Sequence, residues 1–193
     1  MSIRQGVLSI GVLLALCTTV DARELTSTVS ESGAITRLRP EFKIPDEPNQ
    51  LFYVQRSPNS NTVIYTARLD AGGALDRREP VEGFWRKFNI DGTKQPLNII
   101  ERMMAYGVRT DRMGTNGPVT FTIAALPERK ISVSLDGNKR PQALLQVGAR
   151  TIRLAYVYLH VVEGGFMPDV PELDIFGTDI ASGKAVHENL VQK

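Results

Sequence analysis

The chain has almost no cysteine and almost no histidine. One cysteine, Cys17, stands among 193 residues, and it falls inside an apolar stretch near the N-terminus. A lone cysteine forms no intramolecular disulfide and cannot build a cysteine-rich zinc site. The two histidines, His160 and His187, have no H-E-x-x-H or H-x-x-x-H spacing,. There is no G-x-S-x-G elbow, no P-loop and no G-x-G-x-x-G, which excludes the familiar nucleophile and phosphate cradles. Charge of one sign is lacking too. Lys and Arg (23) nearly balance Asp and Glu (21), for a net charge of +2, and the signs are interspersed. With no basic run, nucleic acid is not an expected partner, and no linear membrane-binding patch is present.

What is there is an ordinary globular composition with a distinctive beginning. At 42% hydrophobic and 23% charged, a single domain is expected. A chain of this size buries roughly 70% of its unfolded surface and needs no metal or disulfide to fold. Arg4 precedes an uncharged apolar stretch, Val7–Val20, and Val20-Asp21-Ala22 supplies a peptidase-type cleavage site,. Residues 1–22 therefore read as a signal peptide; the stretch is too short for a transmembrane helix, which needs about 20 apolar residues. A lipid anchor at Cys17 would want a small residue before it, and Leu16 is not small. The expected location is extracytoplasmic, periplasmic or secreted, with no transmembrane anchor after cleavage.

Residues 23–50 are rich in Thr, Ser, Glu and Pro, and Pro40, Pro45 and Pro48 interrupt regular structure,. They read as an extended arm or linker leading into a β-rich domain at 51–193. From Leu51 onward, apolar residues alternate. Strands are expected at 51–55, 62–69, 81–88, 119–124, 131–135, 142–147, 151–162, 172–176 and 185–191. Asp136-Gly137 signals a hairpin,. Residues 151–162 are apolar on both faces, as a covered central strand should be,. One helix is expected over about 96–106, with Pro96 at its start and Gly107 past its end,. Its Leu97, Ile100 and Met104 suggest a face packed on the sheet,. The expected architecture is mainly β: an antiparallel sandwich or partly open barrel of about nine strands with one packed helix.

Several segments resemble a known family. They are Phe52-Tyr53-Val54-Gln55-Arg56-Ser57-Pro58-Asn59, Asn61-Thr62-Val63-Ile64-Tyr65, Pro80-Val81-Glu82-Gly83-Phe84-Trp85, Ala105-Tyr106-Gly107 and Asp174-Ile175-Phe176-Gly177-Thr178-Asp179 with Ser182-Gly183-Lys184. Together they are similar to domain-of-unknown-function family 4833, exported bacterial proteins, over roughly residues 50–190. The resemblance implies a single exported domain and supplies no catalytic residue.

Candidate chemistry rests on few residues. His160 shares a strand face with Tyr156 and Tyr158, and with Glu163 or Asp174 it makes the candidate catalytic set. His187 reads as a surface residue. His187 and its neighbour Glu188 point to opposite faces of a strand and do not share a metal. No metal or cofactor is expected from these spacings. A ligand pocket, if formed, is expected near Trp85, Tyr106, Tyr156, Tyr158 and His160, with Arg56, Arg86 and Arg102 as anion contacts at its rim,. The leading expectation is a non-catalytic envelope domain that binds a small molecule, lipid, glycan or protein. The alternatives are a His-dependent hydrolase and a structural or assembly partner of the envelope that offers an exposed edge strand.

Overall fold

The computed structural model of the chain describes residues 25–111, 119–164 and 169–192. The expected signal segment 1–22 with Cys17, and the Gly-rich loop 114–118, lie outside the described residues. The described residues form one mixed sheet of twelve strands that curls into a half-barrel. In chain order these are β1 (Leu25–Ser32), β2 (Gln50–Arg56), β3 (Thr62–Ala67), β4 (Val81–Arg86), β5 (Lys94–Pro96) and β6 (Val108–Thr110). They continue as β7 (Val119–Ile123), β8 (Leu126–Leu135), β9 (Pro141–Val147), β10 (Arg150–Val162), β11 (Asp169–Asp179) and β12 (Ala185–Gln192).

The long strand β10 organises the sheet. One of its edges pairs antiparallel with β9 over Arg150–Arg153 and then parallel with β2 over Tyr156–Leu159. Its other edge pairs antiparallel with β11, with a register shift between Leu154 and Tyr156. The sheet thus forks at β10: β9-β8-β7-β6 runs one way and β2-β3-β4-β5 the other, with β11-β12-β1 behind. Gly177 sits at the register shift, where a Cβ would lie 2.6 Å from the Arg153 carbonyl oxygen. No other residue fits that approach.

The two arms enclose the main core. Phe52 and Tyr65 stack at 4.5 Å between ring centroids, and Phe121, Ile131 and Ile152 are fully buried beside them. A second, smaller core lies on the outer face, built from Tyr53, Ile64, Phe84, Tyr156, Tyr158 and Phe176. It is closed by the arm: Phe42 and Ile35 pack on it, and the Tyr156 hydroxyl donates to the Thr36 carbonyl at 2.6 Å. Both faces of β10 are therefore covered.

Three strands exceed the expected nine. β1 is a polar Ser/Thr segment within the arm that pairs with β12 along its whole length. β5 and β6 have three residues each. None carries an apolar alternation of its own; each exists because a neighbouring edge offers it a ladder. The helix also differs from its expected form. Pro96 ends β5, Leu97 is buried, and Asn98 caps a short α1 (Ile99–Glu101) through a reciprocal capping box with Glu101,. Arg102–Tyr106 then widens into a single π-helical turn.

Candidate functional site

Two places on opposite faces of the sheet collect the candidate residues. On the outer face, alternation along β10, β11 and β12 aligns His160, Glu172, Asp174, His187 and Asn189. The register places His160 opposite Glu172, Asp174 opposite Asn189, and Phe176 opposite His187. Asp174 is 3% exposed and lies at the centre. Its Oδ2 meets His160 Nε2 at 2.6 Å, and its Oδ1 meets His187 Nε2 at 2.6 Å. Asn189 Nδ2 donates to Asp174 Oδ1 at 2.9 Å and to Glu172 Oε1 at 2.6 Å. A carboxylate only accepts, so both imidazoles present an Nε2 proton to it. Burial pushes the Asp174 carboxyl up, but the hydrogen bonds from Asn189, His187 and His160 outweigh this and hold it below the usual range,.

Aromatic contacts fix the imidazoles. Tyr53, Tyr156, Phe176 and His187 form a continuous stack across four adjacent strands, with centroid spacings of 5.2, 4.4 and 4.4 Å. Tyr158 meets His160 edge to face at 5.0 Å. Ser30 Oγ lies 3.5 Å from His187 Nδ1. Glu188 turns to the other face, where it accepts from Arg129 at 2.6 Å.

The second place is the capped turn 98–107. Its ends are anchored. The Tyr65 hydroxyl donates to the Tyr106 carbonyl at 2.9 Å, and Ala125 N–H donates to the Ala105 carbonyl at 2.7 Å. Gly107 closes the turn so tightly that a Cβ would fall 2.0 Å from the Arg102 carbonyl oxygen. The tip is bare. Ile99, Ile100, Met103 and Met104 are 74%, 69%, 58% and 50% exposed. Of the expected packing face, Leu97 reaches the core together with Tyr106, whereas Ile100 and Met104 are turned outward.

A cavity lies on either side of this turn. One is an apolar groove of about 330 Å³ lined by Ile100, Met104, Leu159, Val161, Val170 and Leu173, with Arg56 in its wall. The Arg56 guanidinium lies 5.6 Å from the Trp85 ring centroid, and its buried Nε has no hydrogen-bond partner among the described residues. The other is a cleft of about 530 Å³ lined by Arg68, Arg78, Lys94, Arg102 and Arg109 against only Glu79 and Glu82. Arg68 and Lys94 pair with those carboxylates. Among the described residues, Arg102 and Arg109 pair with none.

The expected single pocket is not formed. Trp85 and Tyr106 meet edge to face at 5.1 Å in the main core. Tyr156 and Tyr158 belong to the outer core, with His160 beside them, because alternation sends the two groups to opposite faces. Arg56 and Arg102 do stand at cavities, one on each side of the turn. Arg86 pairs with Glu47 of the arm. His160 and Asp174 are brought together, whereas Glu163 is exposed past the end of β10 and bonds to neither. His187, expected at the surface, is half-buried and tied to Asp174. Glu172 and Asn189 were not singled out by sequence; their alternation with Asp174 and His187 was the available signal, but it needed the β11–β12 register.

A family model described as a domain of unknown function, DUF4833, matches residues 52–189. The chain belongs to the DUF4833 family. No curated protein and no solved structure matches it. The DUF4833 region runs from β2 into β12 and takes in Arg56, the capped turn, both histidines and Asn189. β1 and the arm precede it.

Proposed function

We propose that this DUF4833 protein is an extracytoplasmic, non-catalytic domain that binds anionic lipid through the turn 98–107. The observation that carries this reading is the bare apolar tip between an apolar groove and an arginine-rich cleft. Exposing four large apolar side chains side by side disfavours a monomer in water and marks a contact surface. Nothing in the fold requires it, since Leu97, Tyr106 and the capping box already hold the turn. Arg102 and Arg109, which pair with no carboxylate among the described residues, complement a phosphate headgroup, and the groove suits an acyl chain,. Cations near an anionic surface contribute about 1 kcal/mol each. Residues 1–22, read as an export leader, favour the same compartment, where such lipids are met,.

The test is co-sedimentation of the purified protein with vesicles of phosphatidylcholine, with and without phosphatidylglycerol. Binding is expected to need the anionic lipid. On the anionic vesicles it should fall sharply both in Arg102→Gln/Arg109→Gln and in Ile100→Ser/Met104→Ser. Equal binding by wild type and both variants would refute the proposal.

A hydrolase has one observation in its favour, the line Asp174–His187–Ser30. The 3.5 Å separation of Ser30 Oγ from His187 Nδ1 stands at the outer limit of a hydrogen bond,. Ester turnover that vanished in Ser30→Ala would revive that reading.

A further inference from the structure

We infer that His160, Glu172 and Asp174 form a binding site for a divalent metal ion of the zinc class, with His187 and Asn189 positioning Asp174. One ligand atom from each of the three lies within 4.8 Å of the other two, within reach of side-chain rotation around a common ion. Imidazole nitrogen with two carboxylates is a donor set suited to Zn²⁺ and its first-row neighbours.

The charge balance points the same way. Glu172 and Asp174 are two residues apart on one face of β11, bridged by a single amide. No lysine or arginine pairs with either carboxylate among the described residues. By contrast, the buried carboxylate of Glu188 receives Arg129. A cation at the junction of His160, Glu172 and Asp174 supplies the missing charge.

The partners of Asp174 are arranged for this role. His187 and Asn189 hold its Oδ1, while Oδ2 faces the half-exposed His160. That leaves Oδ2 and the His160 Nε2 for the ion. For ligation His160 takes the tautomer that carries its proton on Nδ1, which frees the Nε2 lone pair. A buried carboxylate fixed by such partners is a stiff ligand. The site lies on the face of the sheet opposite the main core, so it stands or falls independently of lipid binding.

The test is titration of chelator-treated protein with Zn²⁺ by calorimetry and with Co²⁺ by visible absorption. One ion per chain is expected, with a Co²⁺ absorption band typical of low coordination number. Loss of a ligand should weaken binding at least tenfold in His160→Ala and in Glu172→Gln, with His187→Ala showing a smaller loss. If His160→Ala fails to fold, Glu172→Gln decides, because that side chain is partly exposed and supports no core packing. Absence of saturable binding, or an affinity unchanged in Glu172→Gln, would overturn the inference.

Discussion

The outer-face cluster and the capped turn invert each other. In the cluster, half-buried polar groups converge on the buried Asp174, which alone receives three donors. In the turn, apolar groups are exposed and have no partner, while the backbone beneath them is firmly anchored. Buried polarity must be satisfied or it costs about 1–3 kcal/mol per group, so the cluster contributes to the fold whatever else it does. Exposed apolar area on a rigid support contributes nothing to the fold, so it reports on what the protein meets. Stability should therefore depend on the cluster and on the anchors of the turn, and membrane contact on the tip.

That contrast can be tested by substitution. The largest effect is expected at the anchor of the turn. Gly107→Ala drives a Cβ into the Arg102 carbonyl, and a loss of more than about 4 kcal/mol in chemical denaturation would mark it as an exceptional site,. Asp174→Ala comes next, at about 3 kcal/mol, since three donors lose a charged acceptor,. A loss below 1 kcal/mol there would mean that the cluster is not structural. Tyr65→Phe removes one buried hydrogen bond to the Tyr106 carbonyl and should cost about 1–2 kcal/mol,. Its apparent vesicle affinity should drop only as the turn loosens. At the small end, Ile100→Ser/Met104→Ser should leave thermal stability within about 0.5 kcal/mol of wild type,. Destabilisation beyond that would show that the tip packs on something, and the comparison would collapse.

Sequence reasoning reached these two regions unequally. The strand core was legible because its alternation is strict: β10 carries apolar residues on both faces and is covered on both. The short strands β5 and β6 were not, because three residues hold no period. The turn was misjudged for a related reason. Leu97, Ile100 and Met104 have helical spacing, and spacing shows which side chains share a face but not what that face meets. The helix proved one turn long before widening, so of that face only Leu97 packs in the core while Ile100 and Met104 stay exposed. For the cluster, His160 and Asp174 were named from residue type, yet their junction with Glu172, His187 and Asn189 depends on the register of three strands. The basic cleft drew its cations from segments 68–109, which no run of charge in the sequence could reveal.

The account rests on the tip of the turn touching lipid, and a depth measurement tests that most directly. A single tryptophan reporter at Met104→Trp, in a Trp85→Phe background, would be exposed to vesicles whose acyl chains carry bromine. Trp85 is buried and its Nε1 has no partner among the described residues, so its replacement forfeits packing but no hydrogen bond to them. A second reporter, Ile180→Trp, sits on an equally exposed residue beside the β11–β12 hairpin turn. Strong bromine quenching at position 104 with none at 180 is expected. Equal quenching at both positions, or none at 104 while the protein is bound, would contradict it.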